Sequence, residues 1–181
     1  MTEEIIIAGF GGQGVLSMGK ILAYSGMMQN MEVSWMPSYG PEMRGGTANV
    51  TVILSEERIS SPILTKFDTA IILNQQSLDK FETSVKPGGI LLYDNNGITR
   101  HPVRNDIKIY CVEATAESSR MVSSRTFNMI VLGAFIKIKP IVKVENVLAG
   151  IKKSLPSRHH HLLSENEEAI LRGMEIVKII R

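Results

Sequence analysis

The chain of 181 residues has a single cysteine, Cys111. One thiol cannot close an internal disulfide, and it cannot hold an iron–sulfur cluster or a thiolate zinc site. Set in an apolar run between Tyr110 and Val112, it reads as a small buried strand residue. Aromatic residues are scarce at 6%, which leaves little material for base-stacking platforms. Neither sign of charge prevails: 20 Lys and Arg stand against 18 Asp and Glu, a formal net charge of +2. That balance, without a long basic block, gives no electrostatic footprint for nucleic acid. No apolar run approaches the roughly 20 residues that a membrane span needs. Met1-Thr2-Glu3-Glu4 is acidic and leads straight into a strand pattern, unlike a secretory signal. The expectation is a cytoplasmic protein with neither nucleic-acid nor membrane partners. No Ser/His/Asp or paired-carboxylate set at nucleophile spacing argues for independent chemistry either.

What is present is the composition of a folded domain, 44% hydrophobic and 21% charged. The length suits one domain over residues 1–181. Ile5-Ile6-Ile7-Ala8 is an all-apolar run stopped by glycine, the pattern of a strand covered on both faces. From Val15 the period becomes helical, with Gly19 and Gly26 placed where a helix presses on a sheet. Residues 33–36 read as a second strand ended by Pro37, and 47–54 as a third. A strand over 67–73, a helix over 75–85, a turn at Lys86-Pro87-Gly88-Gly89 and strands at 90–93 and 107–112 follow. Phe127, Ile130, Val131, Ala134 and Phe135 mark one helix; Val144, Val147, Leu148 and Ile151 mark the next. Ser164 and Glu167 have capping-box spacing, which predicts a last helix from there to the C-terminus. Alternating strands and helices predict a three-layer, Rossmann-like α/β fold: a mostly parallel sheet with helices on both faces. The strands at 33–36 and 47–54 leave no room for a helix between them, so one antiparallel pair is allowed for.

Gly9-Phe10-Gly11-Gly12-Gln13-Gly14 fits G-x-G-x-x-G, after a predicted strand and before a helix. Glycines there permit positive φ and close approach of backbone N–H groups, while the helix start favours an anion. A tight turn without ligand is the plain alternative. A dinucleotide site asks for an acid at the end of the second strand. That strand ends Trp35-Met36-Pro37, and Glu32 stands before it, at the wrong end of the sheet. A stand-alone NAD(P)- or FAD-binding oxidoreductase is therefore the weaker reading.

The next loop, Pro37-Ser38-Tyr39-Gly40-Pro41-Glu42-Met43-Arg44-Gly45-Gly46-Thr47-Ala48-Asn49, leaves the carboxyl edge of the sheet. Arg44 offers a planar fork for phosphate or carboxylate, unless Glu42 neutralises it. A stiffened surface loop and a protein interface stay open beside a ligand role.

These two loops, with Ile-Ser-Ser-Pro at 59–62, Asn-Met-Ile-Val-Leu-Gly-Ala at 128–134, the basic segment near His159 and Asn166-Glu167 through Gly173, resemble gamma subunits of 2-oxoacid:ferredoxin oxidoreductases. The resemblance covers nearly the whole chain and is nearest to the 2-oxoglutarate branch, with the indolepyruvate and pyruvate branches as siblings. It implies a subunit without its own redox centre, in a complex of alpha, beta and delta chains. Such complexes convert a 2-oxoacid and coenzyme A to acyl-CoA and CO2 and pass two electrons to ferredoxin. Thiamine diphosphate and iron–sulfur clusters are then expected in the partner subunits, with coenzyme A as co-substrate. The ligand or subunit-contact residues it implies are Gly9, Gly11, Gly12, Gln13, Gly14, Ser38, Tyr39, Gly40, Glu42, Arg44, Gly45, Gly46 and Asn128. A pure assembly module, with glycine loops serving only as contacts, is the other class considered.

Two further features are weaker. Where the family pattern leads one to expect a glycine, the chain reads Glu-Ser-Ser-Arg-Met-Val-Ser-Ser-Arg at 117–125. Ser118, Ser119, Ser123 and Ser124 with Arg120 and Arg125 form either an anion-binding corner or a solvated helix start. His159-His160-His161 cannot all face one metal from a regular element, and reads as a basic connector with Lys152, Lys153 and Arg158.

Overall fold

In the computed structural model, residues 1–39, 46–121 and 123–181 are described, without the side chains of Tyr39 and Ser124. The expectations for Gly40, Glu42, Arg44 and Gly45 lie outside the described residues. The run from Thr2 to Phe10 forms β1, and Ile5, Ile6, Ile7 and Ala8 within it are all buried. Both faces of β1 are therefore covered, as the unbroken apolar run predicts. Helix α1 (Val15–Met28) follows, then strands β2 (Glu32–Tyr39), β3 (Thr47–Ser55) and β4 (Phe67–Ile72). Helix α2 (Gln75–Phe81) runs through a 3-10 turn into β5 (Val85–Asp94), then β6 (Lys108–Val112) and the short α3 (Ala114–Ser118). A 3-10 turn (Ser124–Thr126) opens α4 (Phe127–Ile138), and α5 (Val144–Ser154) leads through a third such turn (Ser157–Leu162) to α6 (Leu163–Ile176) and β7 (Lys178–Ile179).

The sheet order is β2-β3-β1-β4-β5-β6-β7. Its centre is parallel, β1 with β4, β4 with β5 and β5 with β6. Its flanks are antiparallel, β2 with β3, β1 with β3 and β6 with β7. The α/β class and the antiparallel pair are as expected, but the antiparallel share is larger than one pair. Without a crossover helix, β3 must run back between β1 and β2. On one face α1, α4, α5 and α6 pack over Ile5, Ile7, Val50 and Val52. On the other, Leu78 and Phe81 with the segments around Leu64 and Ile98 cover Ile6, Ala8, Ala70 and Tyr93.

Several boundaries differ from the sequence reading for local reasons. Pro37 continues β2 rather than ending it, because β2 is an edge strand where a missing N–H is tolerated. The turn expected at 86–89 is absorbed as an irregularity of β5: pairing steps from Phe67↔Val85 to Thr69↔Ile90, with Gly88 at φ 77°. The helix expected over 75–85 closes at Phe81 and tightens into the 3-10 turn Glu82–Ser84. The capping box at Ser164 does not form. Helix α6 already begins at Leu163, with no side-chain cap, and the chain ends in β7 rather than in helix.

At the amino ends of the parallel strands, two charge clusters tie layers together. Buried Glu3 accepts from Thr69 Oγ1 at 2.6 Å and pairs with Lys139 Nζ at 2.9 Å. Lys86 bridges Glu4 and Asp68 at 2.6 and 2.7 Å. Burial works against the Lys86 ammonium, but the two carboxylates outweigh it and raise its pKa.

Helices α4 and α6 approach until their backbones touch. A methyl on Gly173 would meet the Ile130 carbonyl carbon at 2.8 Å, and one on Gly133 the Ile170 carbonyl carbon at 2.8 Å. No flexible side chain stands there to yield. Gly173→Ala is expected to lower stability by about 1–3 kcal/mol through overpacking, read as a lower urea midpoint at unchanged slope.

Candidate functional site

The register brings both loops to one edge. Ala48 of β3 pairs with Gly9 on one side and Tyr39 on the other, so β1 and β2 end together at the carboxyl edge. Gly11 N–H donates to the Gly46 carbonyl at 2.9 Å and ties the 9–14 loop to the start of β3. Ser38 stands exposed at this end of β2. Glu32 pairs with Ser55 at the opposite end, which leaves it unable to reach anything bound on the glycine loop.

Gln13 folds the loop upon itself. Its Oε1 accepts from Phe10 N–H at 2.6 Å, and its Nε2 donates to the Leu73 carbonyl at 3.3 Å. A side chain on Gly9 would meet the Leu73 Cβ at 2.9 Å and displace Gln13 Oε1, 2.6 Å from the Cβ position, from its hydrogen bond to Phe10. Gly12 has φ 96° with nothing within 4 Å of that position, and Gly14, at φ 77°, is the N-cap of α1. Asn128, in the first turn of α4, packs on Gly14, its Cβ 2.8 Å from the position of an added methyl. The first turn of α1 carries no acidic residue and no side-chain cap. Phe10, Gly11, Gly12, Leu16, Ser17 and Ala48 are among the residues around a hollow of about 320 Å³ over that helix start. Backbone N–H groups at a 14-residue helix end, unopposed by a carboxylate of their own, attract an anion.

Of the residues singled out from sequence, Gly9, Gly11, Gly12, Gln13, Gly14, Gly46 and Asn128 therefore come together, with Ser38 beside them. The serine cluster at 118–124 splits: Ser118 and Ser119 turn onto α3, Ser123 and Arg125 line a separate hollow, and the side chain of Ser124 lies outside the described residues. Ser118 and Ser119 donate to carbonyls within α3, at 3.0 and 2.7 Å, and Arg120 pairs with Glu117. Ser123 caps the 3-10 turn by accepting from Arg125 N–H. The histidines are likewise turned onto the chain: His160 Nε2 lies 3.2 Å from the Leu155 carbonyl and His161 Nδ1 3.0 Å from that of Arg158.

Asn74 was not singled out. It caps α2 by accepting from Ser77 N–H at 2.8 Å, while its buried Nδ2 has no partner among the described residues. The signal was an asparagine at a strand end with serine three residues on. At the same edge, burial raises the Asp94 pKa against the hydrogen bonds of Thr115, and Asp94 serves to hold the start of α3. Cys111 is half-buried rather than buried, and burial pushes its thiol up, away from thiolate reactivity.

A family model described as pyruvate ferredoxin/flavodoxin oxidoreductase matches residues 4–176. The chain belongs to this family. It is 32% identical over 181 residues to 2-oxoglutarate synthase subunit KorC of Methanocaldococcus jannaschii, covering 98% of this chain and 95% of that protein. It is 41% identical over 135 residues to ketoisovalerate oxidoreductase subunit VorA of Methanothermobacter thermautotrophicus, 75% of this chain. The chain spans only 28% of the length of that VorA protein. A solved keto/oxoacid ferredoxin oxidoreductase gamma subunit from Geobacter sulfurreducens superposes with TM-score 0.81 at 26% identity, covering 96% of each chain. The gamma-subunit likeness read from the sequence holds. The relatives' names divide between 2-oxoacids, so family membership alone does not choose one.

Two outcomes follow from this geometry. Gly12→Ala meets only the backbone cost of positive φ, about 1–2 kcal/mol. Gly14→Ala meets that cost and the Asn128 contact, and is expected to lower the urea midpoint further; adding Asn128→Gly restores only the steric part. Tyr93, whose Oη lies 3.3 Å from His101 Nδ1, is raised from 10.0 to about 12, first by burial and then by Cys111. Between those values the folded state keeps a proton that the unfolded chain has lost, so stability falls as pH rises through this window. Tyr93→Phe removes that contribution, read as a shallower decline of melting temperature between pH 10 and 12.

Proposed function

We propose that this chain is the gamma subunit of a 2-oxoglutarate:ferredoxin oxidoreductase, acting over residues 1–181 as one non-autonomous unit. The end-to-end match with the KorC subunit carries this reading, since both chains are covered almost completely. In it, alpha and beta chains, with or without a delta chain, hold thiamine diphosphate and iron–sulfur clusters, and ferredoxin docks on the complex in the cytoplasm. No helix among the described residues is long and apolar enough to cross a membrane. The chain's own contribution is the two-loop edge. Gly12 leaves its surroundings open and the start of α1 carries no acid, so an anionic group of coenzyme A fits against the 9–14 loop. Gln13 keeps the loop in shape, and the family resemblance assigns Glu42 and Arg44, outside the described residues, to contact with coenzyme A or a partner subunit. Tight backbone approach, rather than proton transfer, is what these residues supply.

A stand-alone dinucleotide enzyme fits less well, because Glu32 sits at the wrong end of β2 for a ribose clamp. Co-expression with the alpha and beta chains is the test. The expected result is a stable complex that turns over 2-oxoglutarate with coenzyme A, and no activity from this chain alone. Activity of the isolated chain, or calorimetric binding of NAD, NADP or FAD, overturns the assignment. In the assembled complex, Gly12→Ala and Arg44→Ala are expected to raise the KM for coenzyme A with assembly intact. Lost assembly with normal residual kinetics assigns the loops to subunit contact instead.

A further inference from the structure

A second hollow, of about 260 Å³, lies between the starts of α4 and α6, the end of α5 and the first two turns of α1. It shares Ser17 with the hollow over the glycine loop, and its Asn128 packs on Gly14. Its floor is aliphatic: Ile21, Met129 and Ile151 are 2, 3 and 2% exposed, and Leu155 and Leu162 extend it. Its wall carries two opposite charges, Arg125 and Glu165. Neither forms an ion pair among the described residues, with each other or with any other group.

The remaining polar wall groups are mostly committed. Ser154 Oγ donates to the Ile151 carbonyl at 2.9 Å, Asn166 Nδ2 to that of Leu162 at 2.9 Å, and Thr126 Oγ1 to that of Ser123 at 2.8 Å. The Asn128 amide and the Ser17 hydroxyl have no hydrogen-bond partner among the described residues. Helices α4 and α6 continue here from 3-10 turns, the first of them capped by Ser123, so the group on this wall that suits a carboxylate is the Arg125 guanidinium.

A lone anion bound here would confront Glu165, and a lone cation would confront Arg125. An uncharged apolar molecule would leave both charges unanswered. A molecule with both charges at one end and an aliphatic body answers all three parts. We propose that this hollow binds a free apolar α-amino acid of about leucine's size. Its carboxylate faces Arg125, its ammonium faces Glu165, and its side chain lies on Ile21, Met129 and Ile151. Because Asn128 lines the hollow and rests on Gly14, occupancy bears on the support of the glycine loop. The site thus adds an amino-acid input beside the glycine loop, independently of which complex the chain joins.

Calorimetric titration of the full chain with L-leucine tests this, alongside 4-methyl-2-oxopentanoate, which lacks the ammonium, and 3-methylbutylamine, which lacks the carboxylate. Saturable leucine binding is expected, with both analogues weaker by about tenfold or more. Arg125→Gln and Glu165→Gln are each expected to weaken leucine by about tenfold with an unchanged circular dichroism spectrum. The Met129 methyl resonance, assigned through Met129→Leu, is expected to shift on titration of the native chain, which tests placement without either charge variant. Absence of leucine binding at millimolar concentration overturns the proposal. So does equal binding of the oxoacid or the amine, leucine binding indifferent to both variants, or an unmoved Met129 methyl.

Discussion

Two helix backbones meet only where neither places a side chain between them, and α4 and α6 meet that condition at Gly133 and Gly173. The crossing fixes more than two helices. With the pair locked, the starts of α4 and α6 come to the carboxyl edge of the sheet, and Asn128 is carried onto Gly14. The hollow beside them exists because the helices converge there and α5 ends before it fills the gap. A methyl at either glycine would push carbonyls apart, and the displacement would reach both the hollow and the loop. The rest of that helical face depends on this approach because interiors are close-packed and give way little.

Among the described residues, the carboxyl edge offers shape and backbone donors rather than reactive side chains. Gln13 is spent on Phe10 of its own loop and on the Leu73 carbonyl, Asp94 holds α3, and burial pushes the Cys111 thiol up. Such an edge suits a subunit that completes a surface for chemistry held by other chains. Among the described residues of the 9–14 loop, the electrostatics come from the peptide dipoles at the start of α1, which act without titrating. Binding at the 9–14 loop would accordingly vary little with pH near neutrality, unless the ligand or partner itself titrates.

Much of this was legible in the residues. The apolar run at Ile5 to Ala8 announced a strand covered on both faces, and the glycines at 9, 11, 12 and 14 announced the turn into α1. Asn128 was singled out through family likeness alone, and nothing local in the sequence pointed to its contact with Gly14. That contact joins residues far apart in the chain and depends on the α4–α6 crossing. The boundaries misread were those where tertiary position overrules local chemistry. Pro37 reads as a stop until β2 is known to be an edge strand. Ser164 reads as a cap until the preceding 3-10 turn has already started the helix at Leu163. The serines at 118–124 read as an anion corner because composition says nothing of direction, and the hydroxyls of Ser118 and Ser119 turn inward onto α3. The mixed-charge hollow was invisible for a similar reason, since Arg125 and Glu165 become neighbours only through folding.

The position of Pro37 carries a consequence for the free chain. Strand β2 forms one border of the sheet, eight residues long, with Trp35 and Met36 both partly exposed. Such a border is a template for pairing with any other extended chain, including another copy. Proline has no N–H, so a ladder laid along this border can draw no donor from that residue. An incoming strand therefore cannot be matched along the full length, and repeated copying into a fibre is discouraged. The same residue that reads as a break in secondary structure thus works as a guard on solubility.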